Sequence, residues 1–251
     1  MTGRLREAVA ALVLVAGAGC TSPGAEPGDH RLALPLPSGA TVVYLLHAPP
    51  GIARHGRRPL VIALHGVPGS PGQMARTTDL SRLADRHGFL VAYPESLTDP
   101  ADVGRLVDHL VAHWRVDPHR VHVTGFSVGG AVTYTLATEL SDRVASFAVV
   151  SGPTTGDLDT DPPTSLLAIE GVRDDLMPTF HRADAEWARS AACGTPDVTR
   201  VRLGRTPAVR STARCRAGTD HTVYRVARTG HAWPPGASDV VWDFFRAHPL
   251  R

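Results

Sequence analysis

The chain has 251 residues and no lysine; all 26 basic residues are arginine. That absence removes every lysine base and Schiff-base former from the candidate chemistry. Charge of one sign is also lacking. Net charge is +2 with histidine neutral, so no strong field points toward nucleic acid or an anionic surface. No apolar run is long enough for a stable bilayer span; the longest, Ala8 to Ala18, falls well short. No repeat and no shift of composition marks a second domain. With 43% apolar residues the chain has enough for one core, as expected of a single α/β domain.

Cysteine is scarce, with three in all: Cys20, Cys193 and Cys215. Arg4 and Arg6 precede the Ala8–Ala18 run, and small residues then lead to Cys20. This order reads as an export signal over residues 1–20. Gly17-Ala-Gly-Cys20 is similar to a bacterial lipobox, in which the cysteine becomes lipidated, although Gly17 stands where a larger aliphatic is usual. Plain secretion is the alternative. Residues 21–30, rich in Pro and Gly, read as a flexible linker, leaving 31–251 as the folded domain. In an exported chain two cysteines pair, and Cys193 with Cys215 closes a loop within one region.

The organising stretch is Arg120-Val-His-Val-Thr-Gly-Phe-Ser-Val-Gly-Gly130. Val121 to Thr124 reads as a buried strand and Ala131 to Leu140 as a helix. Strand, Gly125-x-Ser127-x-Gly129, helix is the context of a nucleophile elbow. Two residues either side of the serine, a side chain would collide with its neighbours, so both positions want glycine. The turn lifts the Ser127 hydroxyl out at a helix N-terminus, where free N–H groups favour developing negative charge.

Around this stretch strands and helices alternate. Arg31 to Ala48 reads as one or two antiparallel edge strands, and Pro59 to Leu64 as a strand covered on both faces. Met74 to His87 predicts a helix, Phe89 to Tyr93 a strand, and Pro100 to Arg115 an amphipathic helix. Val144 to Ser151 and Ser165 to Glu170 read as strands, Arg182 to Ala192 as a helix. Val198 to Val226 reads as short strands, and Ser238 to His248 as a closing helix. This alternation predicts a mostly parallel sheet with helices on both faces.

A serine hydroxyl needs a base, and the base needs an orienting carboxylate. In the chain order of such elbows, acid then histidine follow on loops after later strands. Asp174 and Asp175 both lie in the loop after the 165–170 strand, and this reading leaves both open. Asp157, Asp159 and Asp161 read as surface acids. His231 follows a strand and directly precedes the last helix, which places it best for the base. The two N–H groups of an oxyanion hole would come from Val128, after the serine, and Val67, after His65-Gly66. His65 reads as a residue that holds this loop. His109 and His113 have metal-ligand spacing, but no Glu or Cys accompanies them. No metal or cofactor is expected.

Together these pieces resemble the polyhydroxybutyrate depolymerase-like esterases, a group of α/β-hydrolase fold that includes feruloyl and acetylxylan esterases. The matching stretches are Pro59 to Gly66, Tyr93-Pro-Glu95, Val116 to Gly130, Gly171 to Pro178 and Gly230-His-Ala-Trp-Pro234. The family pattern Gly-x-x-Asp-x-x-x-Pro fits Gly171, Asp174 and Pro178, which selects Asp174. Val67 departs from the cysteine common after His-Gly, and Phe126 and Val128 replace commoner Leu and Ala. The resemblance implies a serine esterase, with Ser127, His231 and Asp174 as triad; Trp233 is expected to line the acyl or aryl pocket, with packing on its loop as the alternative. It further implies an ester substrate, small or oligomeric, with short acyl, feruloyl or hydroxyalkanoate groups. The expected chain is a monomer with little or no lid, touching a membrane only through a lipid at Cys20. A peptidase on the same machinery and a non-catalytic envelope lipoprotein are the competing readings.

Overall fold

A computed structural model describes residues 26–52, 56–96, 99–154, 156 and 158–250. The proposed export signal, Cys20 and Asp157 lie outside the described residues. In chain order the strands are β1 (Gly28–Pro35), β2 (Thr41–Ala48), β3 (Arg58–Leu64), β4 (Leu90–Pro94), β5 (Val116–Phe126), β6 (Ser146–Val150), β7 (Ser165–Gly171), β8 (Asp197–Leu203), β9 (Thr206–Arg214) and β10 (Asp220–Val226). The helices are α1 (Pro71–Thr78), α2 (Leu80–His87), α3 (Pro100–His113), α4 (Val128–Glu139), α5 (Met177–Ser190) and α6 (Ala237–Ala247).

The ten strands among the described residues form one sheet in the order β1-β2-β4-β3-β5-β6-β7-β10-β9-β8. Neighbours from β4 to β10 pair in parallel, while β1, β2, β9 and β8 pair antiparallel at the two ends. The central strands β4, β6 and β7 are buried along their whole length, which explains their unbroken apolar runs. Two cores flank the sheet. On one face Val103, Leu106 and Leu110 of α3, Leu136 of α4 and Trp187 of α5 pack together. On the other, Met74 of α1, Leu83 of α2 and Val241 and Phe245 of α6 pack together. This is the α/β-hydrolase architecture. No helix or strand interrupts the connection between β6 and β7 among the described residues.

Several boundaries differ from the sequence expectation. β1 begins at Gly28, so it takes up the last residues of the segment expected as linker. The single helix expected over 74–87 is two helices. Asp79 adopts the left-handed conformation between them, at φ 53°, and its N–H closes α1 on the Ala75 carbonyl. Such a conformation in Asp leaves no apolar or Gly/Pro signal. α5 starts at Met177, five residues before Arg182, because Pro178 occupies its first turn, where no N–H is required. Cys193 and Cys215 form a disulfide joining the end of α5 to the end of β9.

Candidate active site

The loops that carry the candidate residues all leave the C-terminal ends of parallel strands, the edge where open α/β sheets place their sites. β5 delivers Ser127, β7 Asp174, β10 His231, and β3 the His65-Gly66-Val67 loop.

Ser127 sits at φ 55° and ψ −118°, a conformation that L residues rarely adopt. Its N–H donates to the Val150 carbonyl at 3.1 Å, and its carbonyl accepts from Ala131 at 3.0 Å. Strand and helix are thereby locked at a sharp corner. The glycines are required sterically. A Cβ on Gly125 would run into the Gly129 carbonyl, and one on Gly129 would run into the Leu64 carbonyl.

His231 Nε2 lies 2.8 Å from Ser127 Oγ, and His231 Nδ1 lies 2.8 Å from Asp174 Oδ2. The Asp174 side chain is 1% exposed, and its Oδ1 accepts from the Leu176 N–H at 3.0 Å. Asp175 is exposed and has no part in this chain of bonds. The acid and histidine loops are stitched by backbone bonds. Val172 N–H donates to the Val226 carbonyl at 3.0 Å, and Arg173 N–H donates to the Thr229 carbonyl at 2.8 Å. Gly171 leaves room for this, since a Cβ there would strike the Gly230 and Thr229 carbonyls. The Phe126 ring packs at 5.2 Å from the His231 ring, a contact that the sequence reading did not foresee.

The loop after β3 abuts the serine closely; a Cβ on Gly66 would stand 3.0 Å from Ser127 Cβ. His65 braces it, with Nδ1 2.8 Å from the Gly66 carbonyl and Nε2 2.8 Å from the Glu95 carbonyl. Neither Val67 nor Val128 donates its N–H to another backbone carbonyl among the described residues, so both remain available beside the serine. A groove of about 820 Å³ opens from Val128 between α4, with Ala131, Val132 and Thr135, and the far side, with Pro153 and Leu158.

Trp233 corrects the expectation that it lines a substrate pocket. It is buried in the core with α1, α2 and α6, and its Nε1 donates to Ser238 Oγ at 3.0 Å. Its ring anchors the histidine loop from behind. His109 and His113 stack on one another, ring centres 4.5 Å apart, and no metal-binding group of three ligands exists among the described residues.

Behind the acid loop lies a buried polar cluster that the sequence reading missed, because its members come from three elements. Arg225 of β10 pairs with Glu170 of β7 at 3.3 Å and with Asp184 of α5. Burial first, and then the Asp184 carboxylate, outweigh Arg225 and push the Glu170 carboxyl up to about 8. A carboxyl whose folded pKa is raised contributes stability below its unfolded value. That stability is lost as pH rises through the folded value. Glu170→Gln is therefore expected to leave stability at pH 4.5 nearly unchanged and to raise it, relative to wild type, progressively toward pH 8. Urea midpoints measured across that range check the sign; an equal offset at every pH would refute it.

The family model for esterase PHB depolymerase matches residues 42–100. A bifunctional acetylxylan esterase/xylanase of Neocallimastix patriciarum is 30% identical over 144 residues, covering 53% of this chain and 21% of that protein. The poly(3-hydroxyalkanoate) depolymerase C of Paucimonas lemoignei is 30% identical over 127 residues, covering 42% of this chain and 30% of that protein. The chain thus spans less than a third of the length of these two relatives. In fold it is similar to an acetyl xylan esterase from Aspergillus awamori, with a TM-score of 0.67 and 15% identity over 86% of this chain and 99% of that one. In sequence over residues 42–100 and in fold over most of its length, the chain is thus similar to the polyhydroxybutyrate depolymerase-like esterases.

Proposed function

We propose that the protein is a serine esterase that hydrolyses carboxylic esters through an acyl-enzyme. The observation that carries this reading is the continuous chain of 2.8 Å contacts from Ser127 through His231 to Asp174. His231 Nε2 takes the Ser127 proton as Oγ attacks the ester carbonyl, and then passes it to the leaving alcohol. Asp174 fixes the tautomer with the proton on Nδ1 and stabilises the imidazolium formed. The Val67 and Val128 N–H groups receive the oxyanion. A water activated by His231 then releases the acid. No cofactor takes part.

The 820 Å³ groove beside Val128 supports an open site reached by small esters or by the end of an oligomer. The relatives named above act on acetylxylan or poly(3-hydroxyalkanoate) by name, and short acyl, feruloyl and hydroxyalkanoate esters are the substrates proposed here. The disulfide supports export, with residues 1–20 as signal, 21–30 as linker and 31–251 as a monomeric catalytic domain, carried at the envelope by a lipid on Cys20 or released.

A fluorophosphonate probe tests the reading. Labelling is expected at Ser127 and to be lost in Ser127→Ala, together with release of p-nitrophenol from p-nitrophenyl acetate. Methyl ferulate and hydroxybutyrate oligomers then rank the acyl groups. Absence of both labelling and turnover would leave a non-catalytic envelope protein. Peptide cleavage faster than ester cleavage would make it a peptidase.

A further inference from the structure

A second cavity, of about 280 Å³, lies at the opposite edge of the sheet, where the parallel strands begin. Arg57 and Arg58 border it at the start of β3, Arg120 in β5, His87 at the end of α2, and Trp242 and Arg246 from α6. Arg120 is separated from Ser127 by most of a strand, roughly 20 Å at the usual rise per residue. The cavity is therefore outside the active site.

Four guanidinium groups line this space, and no carboxylate does so among the described residues. Asp117 compensates Arg120 at 2.7 Å, and Asp243 compensates Arg246 at 3.0 Å. Among the described residues Arg57 and Arg58 have only carbonyl partners. Arg57 donates to Val116 at 3.1 Å; Arg58 donates to Gly88 at 3.2 Å and to Gly51 at 3.3 Å. Those bonds make the two arginines loop staples, but they leave two positive charges uncompensated at one cleft. They also leave donors over. Arg58 Nε and Trp242 Nε1 are both shielded from solvent without a hydrogen-bond partner among the described residues. Trp242 is 5% exposed and held by a 4.0 Å stack on Phe89, so its N–H cannot swing out to water. Buried donors in native proteins almost always have acceptors. The neighbouring His122 adds no positive charge of its own to the four arginines. Burial, then the His248 charge, then that of Arg120 push its imidazole down to about 3, which keeps it neutral.

We propose that this cavity binds a phosphoryl-type anion, held by Arg57, Arg58 and Arg246 and by the Trp242 indole N–H. Forked donors converging from three elements suit a tetrahedral oxyanion, whose acceptors point in several directions, better than a planar carboxylate. The volume accommodates inorganic phosphate, a small phosphate monoester or the headgroup phosphate of an anionic lipid, and no polymer.

The test uses the full chain and two substitutions away from the triad, Arg246→Gln and Trp242→Phe. Phosphate is titrated calorimetrically at constant ionic strength, and the protein is sedimented with vesicles of phosphatidylglycerol or of phosphatidylcholine. Wild type is expected to bind phosphate, with affinity about tenfold lower in Arg246→Gln and lower again with both changes. Hydrolysis of p-nitrophenyl acetate is expected to stay at the wild-type level in both variants. Phosphate binding without preference between vesicles assigns a soluble ligand. A phosphatidylglycerol preference that phosphate competes away and Arg246→Gln abolishes assigns a lipid headgroup. Failure of wild type to bind either probe overturns the site, and so does binding that both variants retain unchanged. A chain that binds phosphate but lacks esterase activity would sink the proposed function and leave this site standing.

Discussion

Ser127→Ala is expected to lower kcat/KM for p-nitrophenyl acetate by about 10⁵-fold or more, since members of a triad act as a unit and removal of the nucleophile leaves only binding and oxyanion contacts. The fold should not notice, because the hydroxyl bonds only to His231 Nε2 among the described residues, while the backbone contacts of the corner remain. Ser127→Gly carries the same loss of turnover but is expected to gain stability. The backbone at φ 55° is strained for any residue with a Cβ, at a typical cost of about 1–3 kcal/mol. Glycine adopts that geometry freely, so the melting temperature is expected to rise by about 2–4 °C for each kcal/mol recovered. Turnover within tenfold of wild type in either variant would mean that another group attacks the ester. An unchanged melting temperature in Ser127→Gly would mean that the corner stores no strain.

Gly129→Ala is expected to cost about 3 kcal/mol or more and to abolish activity together with stability. The added methyl would collide with the Leu64 carbonyl, with the His65 carbonyl close behind. Both are backbone atoms at the end of β3, with no flexible tip that could move aside. Relief requires α4 to withdraw from the sheet, which carries Val128 away from the Val67 loop. Gly156→Ala is the control: a Cβ there meets nothing within 4 Å, so a change within about 0.5 kcal/mol is expected. Urea unfolding and p-nitrophenyl acetate turnover on the two proteins measure both effects. Wild-type values in Gly129→Ala would show that β3 and α4 are less tightly apposed than described.

What could be read from the residues was what is local. The elbow is a contiguous constraint on backbone geometry, so Gly125, Ser127 and Gly129 announce it within a few positions. The alternation of buried strands and amphipathic helices likewise follows from periodicity. Chain order narrowed the acid to a loop and the base to His231, yet periodicity could not choose between Asp174 and Asp175, which differ only in the direction the loop turns them. Trp233 shows the same limit. The residues left open whether it lines a pocket or packs on its loop, a choice made by tertiary packing that buries the ring with α1, α2 and α6. Asp79 breaks a helix without glycine or proline, by taking the left-handed conformation and capping α1 with its own N–H. The Glu170, Asp184 and Arg225 cluster and the arginine-lined cavity were invisible for a stronger reason, since each is assembled from elements far apart in the chain.

The stitching of Val172 and Arg173 to Val226 and Thr229 has a consequence for how new specificity can be installed. His231 and Asp174 ride on one backbone-bonded unit beyond the C-terminal ends of β7 and β10, while the groove wall at Pro153 and Leu158 lies between the end of β6 and the start of β7. That wall can be lengthened or exchanged without disturbing the alignment of imidazole and carboxylate, which makes it the natural seam for grafting a cap from a larger relative.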